Sequence, residues 1–120
     1  MQLSFEQDDE RKRIVGRFCL GEDYQGGSGF LHGGIIALLL DEVMSKACRF
    51  DGQQAVTADL RVEYRRPIRM NTEIIVEGFV TRREGRQLYH RGEIRNTAGD
   101  LLAQGEGRFV IIDREKYAAR

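Results

Sequence analysis

Residues 30–47 read FLHGGIIALLLDEVMSKA, and from Ile35 to Cys48 the chain is rich in Leu, Ile, Ala and Met with neither Pro nor Gly. A run of that length and composition prefers helix to strand. Gly33 and Gly34 open the helix, and Asp51-Gly52 closes the segment behind it. Downstream, Val56, Ala58, Leu60, Val62 and Tyr64 alternate strictly with Thr57, Asp59, Arg61 and Glu63, the period of a half-buried strand. Residues 67–71 then form a turn. Residues 73–83, 87–96 and 101–112 are three further strand candidates, separated at hairpin length by 84–86 and 97–100.

Upstream, residues 13–20 (RIVGRFCL) mix β-branched and aromatic side chains and stop at Gly21, which predicts a first strand. Residues 21–29 (GEDYQGGSG) are too glycine-rich for either regular element and read as a loop. The order is strand, helix, four strands. Hairpin-linked strands favour an antiparallel sheet, and a lone helix this apolar must be wrapped by it, giving an α+β fold. Residues 115–120 are expected to fray.

A chain of 120 residues with 41% hydrophobic content fits one domain, residues 1–120, with no room for a second. Lys+Arg and Asp+Glu both number 19, and no continuous basic stripe is present, which argues against nucleic acid as a partner. The first residues, MQLSFEQDDERKR, lack the apolar core of a signal peptide, and the longest apolar run, 35–40, is far too short for a membrane span. A soluble, cytoplasmic protein is the expectation. Cys19 and Cys48 are far apart, without CxxC spacing or a His cluster, so neither zinc nor a disulfide framework is implied. Both read as reduced core residues.

Helical geometry separates two adjacent carboxylates. At 100° per residue, Ile36, Leu40, Val43 and Ala47 share the stripe that should face the sheet. Glu42 and Lys46 fall on another face at a spacing that suits an ion pair in water. Asp41 instead lies among Ala37, Leu38, Met44, Ser45 and Cys48, with no basic residue one turn away. Such a carboxylate is costly without a strong partner or a purpose. The structural alternative is that Asp41 accepts hydrogen bonds from nearby backbone or from a second subunit.

His32-Gly33-Gly34 stands at the start of the same helix, where free backbone N–H groups and the positive dipole end favour developing negative charge. Glycine at 33 and 34 admits a bulky carbonyl close to the backbone. Gly33 and Asp41 lie about 12 Å apart along a helix, too far to act on one carbonyl within one chain. A two-fold dimer with antiparallel helices would bring Gly33 of one chain to Asp41 of its partner and create two equivalent sites.

The segment FLHGGIIALLLDEVMSKA resembles the PaaI-like and THEM4-like branch of hotdog-fold thioesterases, in which HGG precedes a helix bearing Asp or Glu at this distance. The strand order is similar to the hotdog fold, an antiparallel sheet wrapped around one long central helix. The resemblance implies acyl-CoA as substrate, hydrolysis to a carboxylate and free CoA, no cofactor, and association as a homodimer or dimer of dimers. It implies that Asp41 acts as nucleophile or general base and that the Gly33 N–H polarises the thioester carbonyl. Thr57 matches the hydroxyl residue that orients the carboxylate or water, and Ser45 matches the position used in another branch.

Several members carry Asn or Gln six residues before the motif His, where this chain has Gly26; Gln25 is its neighbour and the nearest substitute. His32 and Gly34 belong to the loop that receives the substrate, and His32 is expected to shape that loop or bond the helix start. His90 has no motif around it. Arg65 and Arg66 are candidates for the CoA phosphates, as are Arg82, Arg83 and Arg86 at a hairpin. Phe30, Leu31 and Met44 are candidates to line the acyl pocket. The rival readings are a hotdog protein that binds acyl-CoA or another small ligand without turnover, which Gly26 favours, and a hydratase or dehydratase, which needs a His facing a carboxylate.

Overall fold

A computed structural model describes residues 4–112 with the exception of 28 and 53; the fraying expected at 115–120 lies outside the described residues. The order is β1 (Glu6–Asp8), β2 (Arg13–Phe18), a 3₁₀ turn (Glu22–Tyr24), β3 (Gln25–Gly27), β4 (Phe30–Leu31), α1 (Gly33–Ala47), a second 3₁₀ turn (Cys48–Asp51), β5 (Ala55–Tyr64), β6 (Ile74–Glu84), β7 (Gln87–Asn96) and β8 (Leu101–Ile111). Six strands form one sheet in the order β1-β2-β6-β7-β8-β5, with all pairings antiparallel. The one α-helix among the described residues packs on β2, β5, β6, β7 and β8, so the α+β reading with a helix inside a curled sheet holds.

A row of glycines lets the helix lie that close. Gly78 faces Gly92, and Gly92 faces Gly105, on the three central strands. A Cβ at Gly78 would stand 2.6 Å from the Val43 carbonyl oxygen; one at Gly92 would meet Leu40 Cδ2 at 3.1 Å, and one at Gly105 Met44 Cε at 3.3 Å. The helix backbone therefore rests against β6, and its side chains fill the space over β7 and β8. Leu39, Leu40, Val43, Met44 and Ala47 are fully buried there, together with Val76, Leu88, Ile94 and Phe109. The two hairpin turns place Gly85 and Gly99 at positive φ (58° and 91°), which fits their short loops.

The helix ends by tightening. The Cys48 N–H turns to the carbonyls of Ser45 and Lys46, and the Met44 carbonyl loses its helical partner. His90, on β7 and 1% exposed, donates from Nδ1 to that carbonyl at 2.7 Å. Its ring packs on Phe109 at a centroid distance of 5.1 Å. A buried histidine without a motif thus closes the helix against the sheet.

Four expectations need correction. The stretch 21–29 is more than a loop, because β3 pairs with β4 through Gln25 opposite Leu31, and the His32 N–H donates to the Tyr24 carbonyl at 2.8 Å. Pairing of main chain with main chain needs no side-chain pattern, so glycine hides it. β1 precedes the expected first strand; its residues, Glu6, Gln7 and Asp8, carry no apolar alternation. Cys19 is exposed and only Cys48 is buried, since β2 ends at Phe18 before the core can cover Cys19.

The fourth correction concerns β5. Thr57 pairs with Phe109, but Asp59 pairs with Arg108, so Ala58 is an extra residue in a β-bulge. A bulge reverses which side chains face the core. Thr57 shares the helix side with buried Phe109, and beyond the bulge Leu60, Val62 and Tyr64 share it with Gly107, Gly105 and Ala103. Val56, the first apolar residue of the alternating series, points to the other face and is 50% exposed.

Candidate active site at the open edge of the sheet

The bulge decides the site. By strict alternation Thr57 would point away from the helix with Asp59 and Arg61; with the bulge, its hydroxyl donates to Asp41 Oδ1 at 3.0 Å. This is the local partner that Asp41, half-buried on the flank of α1, needs to offset its desolvation. Ser45 lies one turn further on, and no hydrogen bond joins it to Asp41 among the described residues. Glu42 is engaged as its spacing predicts, in an ion pair with Lys46 at 3.7 Å.

At the other end of the flank, the helix start leaves one donor aside. The His32 carbonyl accepts from the N–H groups of Ile35 and Ile36. The Gly34 N–H donates to His32 Nδ1 at 2.8 Å, which makes His32 the N-cap and requires a neutral ring with its proton on Nε2. The Gly33 N–H is the remaining donor of the first turn and has no protein partner among the described residues. It therefore points its dipole-enhanced charge at whatever enters.

Tyr64, at the end of β5, was not singled out by sequence reasoning. Its hydroxyl donates to the Gly33 carbonyl at 2.9 Å, and a Cβ built on Gly33 would lie 3.6 Å from that hydroxyl and 3.7 Å from the ring. The only signal was an aromatic residue closing an alternating strand just before Arg65-Arg66-Pro67. Beside it, Phe30, Leu31, Gly33, Ile36, Tyr64, Arg65, Arg66, Pro67 and Ile68 line a largely apolar pocket of about 360 Å³. Arg65 and Arg66 stand at its rim in exposed ion pairs with Glu63 and Asp100. Met44 is fully buried beneath the helix and lines no part of it. Arg82, Arg83 and Arg86 belong to the β6–β7 hairpin at the other end of the sheet, where Arg86 accepts from Ile111 through its carbonyl.

Gly26 now has a physical explanation. A Cβ there would fall 2.8 Å from His32 Cα, so the β3–β4 hairpin passes the motif histidine too closely for any side chain at 26. Gln25 is held by strand pairing opposite Leu31 and cannot move into that place without breaking the hairpin. Among the described residues, no group of three or more His, Cys, Asp or Glu is placed to hold a metal ion, and no helix is long and apolar enough to cross a membrane.

One edge of β5 pairs with β8, and the other has no strand partner among the described residues. Along it Leu60, at 39%, and Tyr64, at 54%, are exposed, as is Leu38 of the helix at 38%. The carboxylate, the helix-start donor and the pocket all open on this edge.

A six-stranded antiparallel sheet around a single helix opened by His-Gly-Gly defines a hotdog-type domain. Residues 28–103 match the family model described as the Thioesterase superfamily, and the chain belongs to that family. It is 34% identical over 106 residues to acyl-coenzyme A thioesterase THEM4 of Rattus norvegicus, covering 88% of this chain and 46% of the relative. The chain thus spans about half the length of the THEM4 proteins it matches. Among solved structures, it resembles the thioesterase superfamily protein RHA08564 with a TM-score of 0.86 and 32% identity, over 90% of this chain and 55% of that one. The PaaI protein of E. coli shares the fold with a TM-score of 0.79 and 20% identity, over 85% and 74% of the two chains.

Proposed function

We propose that this chain hydrolyses acyl-CoA thioesters in a site shared between two protomers that meet along β5. The observation that carries the reading is the Thr57–Asp41 hydrogen bond at 3.0 Å, made on the same open edge that presents the unpartnered Gly33 N–H. Asp41 as general base takes a proton from water, whose oxygen bonds to the thioester carbon. The carbonyl oxygen gathers negative charge against the Gly33 N–H of the partner subunit. Collapse breaks the carbon–sulfur bond, and the CoA sulfur leaves to be protonated, giving a carboxylate and free CoA. Attack by Asp41 itself, through a mixed anhydride that water then opens, uses the same atoms. Thr57 holds the carboxylate in either route, and a donor aimed at the oxyanion is worth about 10²- to 10³-fold in rate.

Two features support the dimer. The free edge of β5 exposes Leu60 and Tyr64, a liability for a lone protein that pairing removes. The helix also spaces Gly33 and Asp41 about 12 Å apart, beyond the reach of a single thioester carbonyl. Further pairing into a dimer of dimers is compatible with this arrangement. Arg65 and Arg66, which line the pocket, are the cations this reading assigns to the CoA phosphates in exchange for their exposed pairs with Glu63 and Asp100, and His32 and Gly34, joined by a hydrogen bond, are assigned to its entrance. Among the described residues, no hydrogen bond joins Ser45 to Asp41. A cytoplasmic location fits an acyl-CoA substrate.

The alternative is a protein that binds acyl-CoA without turnover, and the geometry at Gly26, which excludes the amide that the family resemblance implies there, favours it. A panel of acyl-CoA substrates with thiol detection separates the two. Turnover should fall by roughly 10²- to 10⁴-fold in Asp41→Ala and persist in Glu42→Ala. Equal loss in both variants, or none in either, would sink the assignment. Light scattering tests the assembly, since a stable, active monomer contradicts a shared site.

A further inference from the structure

We infer that Tyr64 is a positioning residue for the carbonyl-binding amide, holding the Gly33–Gly34 peptide so that the Gly33 N–H stays aimed at the substrate. The inference rests on the proposed thioesterase site and adds a residue to it.

Two consecutive glycines at a helix start are a weakness as well as an opening. They admit a substrate to the backbone, but they also leave the first turn the softest part of the helix. A donor that drifts is a poor oxyanion site, because its value comes from being fixed before charge develops. The peptide between Gly33 and Gly34 is held at both ends. Its N–H donates to His32 Nδ1 at 2.8 Å, and its carbonyl accepts from Tyr64 Oη at 2.9 Å.

The preceding peptide, which carries the Gly33 N–H, is fixed through its own carbonyl by the N–H groups of Ile35 and Ile36. The helix ladder engages the Gly33 carbonyl from within α1; Tyr64 adds a second donor to it from a different element. Its ring also covers the flank where Gly33 has no side chain, at 3.7 Å from the position of a Cβ.

Burial does not explain the bond. Within a single protomer Tyr64 is 54% exposed, so packing inside one chain does not force its hydroxyl onto the Gly33 carbonyl. Its place on β5 beyond the bulge sets Tyr64 on the helix side with Ala103 as its partner, as the strand's alternation also does. The bulge brings Thr57 round to that same side, to Asp41. One strand therefore serves both ends of the site, the carboxylate through Thr57 and the amide through Tyr64.

Tyr64→Phe keeps the ring and removes only the hydroxyl. With an acyl-CoA that the wild type turns over, kcat should drop about tenfold, less than the loss of a direct oxyanion donor, while KM stays within about twofold. The Gly33 carbonyl ¹³C resonance should move, and hydrogen exchange at the Gly34 amide should quicken. A change confined to KM would make Tyr64 a pocket wall and overturn the inference, as would an unmoved Gly33 carbonyl. Asp41→Ala in the same assay separates the two levels. If Asp41→Ala is inactive and Tyr64→Phe keeps full kcat, the inference alone fails; if Asp41→Ala is active, the site beneath it fails and takes the inference with it.

Discussion

Replacing Gly78 by alanine should damage this protein more than any other single methyl added to the sheet. The new Cβ would stand 2.6 Å from the Val43 carbonyl oxygen and 2.8 Å from its carbon, against the 3.4 Å at which ordinary contact begins. Both are backbone atoms in the middle of a helix and cannot rotate away. Relief requires α1 to lift by about 0.8 Å, the difference between those contacts. A gap of that size forfeits roughly a quarter to a half of the dispersion attraction across it. Leu39, Leu40, Val43, Met44 and Ala47 all lie on the lifted face.

The expected cost is about 3 kcal/mol, the upper part of the range for overpacked cores, and a midpoint lowered by about 15 °C for a domain of this size. Gly92→Ala is the control, because its Cβ first meets Leu40 Cδ2 at 3.1 Å, the end of a side chain that can turn. It should cost less than about 1.5 kcal/mol. Urea unfolding at one fixed protein concentration measures both, with an unchanged slope showing that stability alone has moved. A cost below about 1 kcal/mol for Gly78→Ala, or an equal cost for Gly92→Ala, would refute the picture of a helix backbone seated on β6.

Two further outcomes test the site. Thr57→Val keeps the shape of the residue while removing the donor to Asp41, and kcat should fall by about 10- to 100-fold with the fold intact; unchanged turnover in the acyl-CoA assay would remove Thr57 from the mechanism. Gly26→Ala should destabilise by about 1–3 kcal/mol, measured by the same urea titration, because its Cβ would stand 2.8 Å from His32 Cα. A neutral result would mean that the hairpin yields easily and that an amide at 26 was never sterically barred.

Much of the architecture was legible because it depends on local pattern. The helix runs Gly33–Ala47 where composition predicts 35–48, and the three later strands fall within a residue or so of their expected bounds. The separation of Asp41 from Glu42 also came from helical spacing. What escaped the sequence was set by pairing between distant segments. The glycine row 78, 92 and 105 has no fixed period and exists only once three strands take their register.

The bulge at Ala58 is invisible in a series that alternates perfectly through it, and with it went the true orientation of Val56 and Thr57. Thr57 was reached through resemblance to a family, not through the strand pattern, which pointed it the wrong way. Gly26 looked like a missing catalytic amide. It is also a place where two backbones nearly touch.

The bond from His90 to the Met44 carbonyl joins residues 46 positions apart, which bears on the order in which the molecule assembles. A helix can form in about a microsecond from its own residues, but at the last turn of α1 the Met44 carbonyl has the weak Cys48 thiol as its local side-chain partner, at 3.9 Å, and gains the stronger bond from His90 of β7, at 2.7 Å. Until the sheet closes, that turn has no reason to tighten and Cys48 no reason to leave the regular ladder. The element most plainly written in the sequence is thus finished by a strand well downstream of it. Refolding should follow the pace of non-local strand pairing, in milliseconds to seconds, with protection at the end of α1 arriving together with that of β7.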